Sequence, residues 1–137
     1  MSNIYSNLNQ GEINLLSLSI DCVPMPAPRP KFKTSESGKK YAYMPKEYQE
    51  FKKLIGYAAR TVTGGVILTS PIKLDISFRK NLEVTNRKFG DIDNLAKSVL
   101  DGLNGILFKD DAQVIELSLH KMPSDKEGID IYIFLES

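Results

Sequence analysis

The sequence has one cysteine, Cys22, among 137 residues. No disulfide can close within the chain, and no cysteine cluster can hold a structural zinc. There is no tryptophan, and His120 is the single histidine. With no cysteine, serine or aspartate patterned around it, His120 reads as a surface or satisfied residue rather than a base. No apolar run approaches the roughly 20 residues a membrane span needs. The opening MSNIYSNLNQGEIN lacks both the basic and the apolar stretch of a secretory signal, so a soluble cytoplasmic protein is expected. Repeats and low-complexity stretches are also missing. Net charge is only +1, which by itself points to no partner.

Charge is nonetheless unevenly spread. Residues 22–88 carry 14 Lys and Arg against 5 acids, and residues 89–137 carry 4 Lys against 10 acids. A basic segment followed by an acidic one suits a protein that attracts a polyanion and then sets carboxylates beside it. Chance clustering on solvated faces gives the same pattern, so charge alone decides nothing.

The length fits a flexible tail over residues 1–13 and a single domain over 14–137. Strand alternation runs through Leu16, Leu18, Ile20 and Cys22, which makes Cys22 a small buried hydrophobe. Pro24, Pro26, Pro28 and Pro30 follow, mixed with Arg29, Lys31, Lys33, Lys39 and Lys40. Alternate prolines remove backbone donors and exclude a helix or a central strand, which leaves an exposed basic loop. Pro45 suits a first helical residue, and Tyr48, Phe51, Leu54, Ile55 and Ala58 recur at helical spacing up to about Thr61, before Gly64-Gly65. Residues 72–79 alternate as a strand, and 80–90 read as a polar loop. A second helix is expected from Asp91 to Asn104, closed by Gly105. Strands at about 113–121 and 129–135 end the chain, and the link from Met122 to Gly128 suits a hairpin. The order β-α-β-α-β-β implies an α/β (α+β) two-layer sandwich, a sheet with two helices on one face. Strand order stays open.

The informative stretch is GDIDNLAKSVLDGLNGILFKDDAQVIEL, residues 90–117. On its helix, Ile92, Leu95, Ala96, Val99, Leu100, Leu103 and Ile106 share one arc. Asp93, Lys97 and Asp101 fall at successive i,i+4 positions on a neighbouring arc. Asp91 and Asp93 lie at the helix start, where the dipole favours carboxylates. Asp110 and Asp111 precede the next strand, and a strand packed back along the helix can return Asp111 toward Asp93. Mg²⁺ prefers carboxylate oxygens, and phosphodiester hydrolysis needs an activated water and a sink for charge. Lys97 could stabilise transition-state charge or orient the water. Each residue also has an ordinary explanation: a cap for Asp91 or Asp93, an ion pair for Lys97, a turn for Asp110-Asp111. Spacing alone stops at a possible acidic metal site.

The run D-x-D-N-L-x-K, then D-G-L-N-G, then D-D-A-Q-V resembles the RusA family of Holliday junction resolvases, which bacteria and prophages carry. The matching residues are Asp91, Asp93, Asn94, Leu95, Lys97, Asp101–Gly105 and Asp110–Val114, a dense match over residues 90–122. VPMPAPRPK and KMPSDKEGIDIYI also look like family members. The resemblance implies a RusA-like fold with a mixed sheet. It implies an endodeoxyribonuclease dependent on Mg²⁺, with Mn²⁺ as a substitute, acting as a homodimer that nicks four-way DNA junctions symmetrically during recombination and repair. It implies Asp91, Asp93 and Asp111 as metal ligands, Lys97 as the essential lysine, and Asp101 and Asp110 as supporting acids. Some relatives carry an unbroken basic run before the first aspartate, whereas Phe89 and Gly90 intervene here.

Arg29, Lys31, Lys33, Arg79, Lys80, Arg87 and Lys88, on loops or strand ends, are the candidates for phosphate contacts. Tyr41 and Tyr43, near Lys39 and Lys40, could stack on unpaired bases, while Tyr48 is expected to face the core. Two other functions fit the pattern less well: a non-catalytic branched-DNA-binding protein, and a metal-dependent phosphohydrolase of free nucleotides. Intact acids argue against the first. The second would need a compact pocket and a shallow salt dependence.

Overall fold

The computed structural model describes residues 13–85 and 90–136. Strand β1 spans Ile13–Ile20, and β2 (Lys31–Thr34) and β3 (Lys40–Tyr43) form a separate two-stranded ribbon. Helix α1 covers Lys46–Thr63 and β4 Ile72–Lys80. A short helix α2 (Leu82–Thr85) and a long helix α3 (Ile92–Leu103) follow, then a 3₁₀ turn at Asp111–Gln113, β5 (Val114–Pro123) and β6 (Gly128–Glu136). The α/β expectation holds: a mixed four-stranded sheet is covered on one face by α1 and α3. The expected tail lies outside the described residues except for Ile13, which opens β1.

The sheet order is β1-β6-β4-β5. β6 pairs antiparallel with both β1 and β4, and β4 pairs parallel with β5. The hairpin expected between the last two strands is therefore corrected: β4 lies between β5 and β6. Their link crosses the end of β4, where Ser124 N–H donates to the Lys80 carbonyl at 3.0 Å and Arg79 Nη1 donates to the Lys126 carbonyl at 2.6 Å. Two alternating strands with a short connector look the same in sequence whether or not a third strand separates them.

The alternation of β4 is followed closely. Ile72, Leu74, Ile76 and Phe78 point into the core, while Lys73, Asp75, Ser77 and Arg79 take the opposite, half-buried face. Their partners are Ile129, Ile131 and Ile133 of β6, Phe51, Ile55 and Ala59 of α1, and Leu95, Val99 and Leu103 of α3. Leu54, expected on the core face of α1, is instead exposed, and Ala59 and Gly56 are buried. Helices α1 and α3 cross at two glycines. A β-carbon on Gly102 would lie 2.8 Å from the Ile55 β-carbon, and one on Gly56 would lie 3.0 Å from the Gly102 carbonyl oxygen. That close approach explains the glycine of the D-G-L motif better than any conformational demand.

The stretch read as a wholly irregular basic loop contains the β2–β3 ribbon, and the stretch read as a polar loop contains α2. Short elements of this kind have too few residues to show a period.

Candidate active site

Helix α3 begins at Asp91, which takes the N-cap position with extended backbone but makes no side-chain capping hydrogen bond. Its inward face carries Leu95, Ala96, Val99 and Leu103, all buried. Asp93, Lys97 and Asp101 follow one flank of the helix. Asp111 comes back beside them from the 3₁₀ turn, because β5 runs along the sheet edge beneath α3. Asp93, Ala96, Lys97, Leu100, Asp101 and Asp111, with Leu117 and Leu119 of β5, line one hollow of about 440 Å³. Leu117 is 37% exposed, since this edge strand is only partly covered by the helix.

The turn that carries Asp111 is tied down on both sides. Asp110 caps it in a reciprocal box with Gln113. The Gln113 amide oxygen accepts from Lys109 N–H at 2.9 Å, and its amide nitrogen donates to the Leu68 and Ser70 carbonyls at 2.9 and 3.2 Å. Asp110 is thus occupied as a cap, and Asp111 faces the hollow.

Asp101 is held from two directions. Tyr48 Oη donates to its Oδ2 at 2.7 Å, and Lys97 Nζ donates to the same oxygen at 3.1 Å. Tyr48 comes from α1, is 1% exposed, and has its phenol pushed far up by burial and then by the hydrogen bond to Asp101. It is therefore a permanent donor. The Asp111 carboxyl is raised above its usual range, first by its hydrogen bond with Asp110, then by burial and the charges of Asp110 and Asp101; Lys97 opposes the shift. Like charges crowded together resist ionisation.

No group of three or more His, Cys, Asp or Glu among the described residues stands close enough to hold a metal in common. Asp93, Asp101 and Asp111 face one hollow without closing on a shared point, and Asp91 does not line it. In donor type the set still fits a hard divalent cation, because these are carboxylates next to an exposed opening. Binding would require them to draw inward, against the repulsion already felt at Asp111.

The other singled-out residues divide. Arg29, Lys31 and Lys33 are exposed. Arg79 is engaged: its guanidinium pairs with Asp130 at 2.9 Å and reaches Ser19 at 3.4 Å. Burial works against the Asp130 charge, but the hydrogen bonds from Arg79 and Ser19 win and hold its carboxyl below the usual range. Lys80 is buried. Arg87 and Lys88 lie outside the described residues. His120 faces Asp75 at 3.3 Å on the open face of the sheet. Cys22 is half-buried, and burial pushes its thiol up to about 11, away from the thiolate form. Sequence reasoning missed the Tyr48 hydroxyl: a helix-face tyrosine reads as core, and only the α1–α3 crossing brings it to Asp101. It also passed over Gln113 as a structural clamp, although Asp-x-x-Gln is a capping-box spacing.

A family model described as endodeoxyribonuclease RusA matches residues 21–134. The "Uncharacterized protein YqaN" of Bacillus subtilis (strain 168) is 26% identical, over 71% of this chain and 80% of its own length. A 2C-methyl-D-erythritol 2,4-cyclodiphosphate synthase structure from Plasmodium vivax aligns with 92% of this chain and 98% of its own, at 10% identity and a TM-score of 0.29. That likeness carries no argument.

Proposed function

Because the chain belongs to the endodeoxyribonuclease RusA family, we propose that it resolves four-way DNA junctions by paired symmetric nicks, with Mg²⁺ held at the acidic hollow. The observation that carries this reading is the meeting of Asp93 and Asp111, from different elements, with Lys97 in one hollow. Asp93 and Asp111 would hold the cation, with Asp91 closing in from the helix cap. When bound, the cation supplies Lewis-acid charge to the phosphoryl group and makes its water a better nucleophile.

The remaining steps belong to the chain itself. Lys97 sits one turn from Asp93 and presents its ammonium toward the developing negative charge. Asp101 orients Lys97, and Tyr48 orients Asp101. Arg29, Lys31 and Lys33 attract and position the phosphate backbone, releasing counterions as they do so. Arg79 is left out of this set because its guanidinium is spent on Asp130, and Lys80 because it is buried. Two symmetric cuts need two sites, so the working unit is a homodimer. No helix among the described residues is long and apolar enough to cross a membrane; a role on cellular DNA in recombination and repair would be carried out in the cytoplasm.

The test is incubation with a synthetic four-way junction and Mg²⁺ or Mn²⁺. Paired symmetric nicks are expected, abolished by EDTA and by Asp93→Asn. No cutting of any branched DNA overturns the proposal. A protein that only binds such DNA would keep its cellular activity in the Asp93→Asn form.

A further inference from the structure

The β2–β3 ribbon pairs with itself and not with the main sheet. Every residue of β2 and most of β3 is exposed. An isolated two-stranded ribbon is marginal in water, so one that keeps large apolar groups outside awaits a partner. Its register places Lys31, Lys33, Tyr41 and Tyr43 on one side and Phe32, Thr34, Lys40 and Ala42 on the other. Lys33 Nζ lies 4.7 Å from the Tyr43 ring centroid, and the Tyr41 and Tyr43 rings are 6.5 Å apart. On the second side Phe32 is 71% exposed, beside Thr34 and Lys40.

The root of the ribbon is fixed beside the acidic hollow. Ala27 N–H donates to the Asn94 carbonyl at 3.0 Å, and Pro26 lies so close to Gly90 that a β-carbon there would come within 3.3 Å of it. The proline-rich segment therefore docks on the start of α3, next to Asp91 and Asp93. Arg29, Lys31, Lys33, Lys39 and Lys40 flank Phe32 in the sequence against the single acid Glu36, and Lys40 shares its side of the ribbon. Such a field repels a basic partner, gives an apolar protein face no complement, and matches a polyanion.

We propose that the β2–β3 ribbon is a second DNA grip, in which Phe32 stacks on an unstacked base at a branch point while the lysines hold the flanking phosphates. This rests on the nuclease reading for its substrate and adds the means of telling branched DNA from duplex. Uninterrupted duplex presents phosphates but no free base face. A branch or gap presents both, and an exposed apolar side chain on a ribbon rich in cations matches that combination.

The test measures binding rather than cutting, with the Asp93→Asn protein in EDTA and a four-way junction or a linear duplex of equal length. Phe32→Ala is expected to weaken junction binding about tenfold and duplex binding less than about twofold. Phe32→Tyr restores the junction value, and Lys31→Ala weakens both alike, as a phosphate contact should. Equal loss on both DNAs, or no loss on the junction, overturns the assignment. A lower sedimentation mass for Phe32→Ala also overturns it, since the ribbon would then belong to a second copy of the chain. Junction cleavage together with a neutral Phe32→Ala fails the ribbon alone. Phe32-dependent junction binding without any cleavage fails the nuclease reading alone.

Discussion

At the acidic hollow, Asp101 is gripped by a buried tyrosine and a lysine, and the turn bearing Asp111 is clamped by Gln113 to the chain at Leu68 and Ser70. On the ribbon, Phe32 stands in solvent and its neighbours are lysines. The two regions meet at the start of α3, through Ala27 and Asn94. Chemistry that depends on a few tenths of an ångström is built on packed helices, where rotamers are locked. Recognition that must accommodate a deformable polymer is placed on a short element anchored at its root. The contrast teaches that the same substitution type should have opposite signatures in the two places, in activity at the hollow and in binding at the ribbon.

The largest effect expected is on cutting. Asp93→Asn or Asp111→Asn should lower junction cleavage at least about a hundredfold with junction affinity kept or improved, because a charge that repels phosphates is gone. Loss of binding in step with cleavage would erase the distinction between the regions. Next, Gly102→Ala should cost about 1–3 kcal/mol in urea unfolding, because the new methyl meets the Ile55 β-carbon and the Lys52 carbonyl. A neutral result would mean that the α1–α3 crossing can yield, and that the hollow is less rigid than described.

Tyr48→Phe sharpens the comparison further. It removes only the hydroxyl that holds Asp101, so kcat should fall about tenfold with KM and DNA binding unchanged. A merely structural tyrosine would lower stability and leave kcat per folded molecule intact. Acid stability gives a smaller signal. Asp130 is held below the usual carboxylate range by Arg79, so its contribution is present above about pH 4 and lost as pH falls through the lowered value. Asp130→Asn should therefore flatten the acid limb of an unfolding-versus-pH curve, by on the order of 1 kcal/mol. The smallest effect is Phe32→Ala on stability, within about 0.5 kcal/mol. A larger loss would show that the ribbon leans on the body.

Periodicity located the long elements, though not every residue on them: Leu54 is exposed. The charged flank of α3 was legible from i,i+4 spacing, and the return of Asp111 was one path that a helix–turn–strand allows. The last two strands were misjoined because alternation reports which side of a sheet a residue faces and not which strand is its neighbour. The ribbon was hidden because four-residue strands carry no usable period and prolines dominate the segment before it. Tyr48 was placed in the core, as found, but its bond to Asp101 depends on a crossing permitted by Gly56 and Gly102, and single-helix patterns do not encode how two helices meet. Arg79 and Lys80 looked like free cations at a strand end; strand neighbours brought by β6 and the crossing link occupy the arginine.

In the proposed function Asp93 and Asp111, remote in the chain, share one divalent ion. Titration of Mn²⁺ followed by electron paramagnetic resonance tests it without DNA or turnover. Saturable binding by the parent protein is expected, weakened by at least about tenfold in both Asp93→Asn and Asp111→Asn. Binding that is unchanged in either variant, or lost in only one of them, would contradict it.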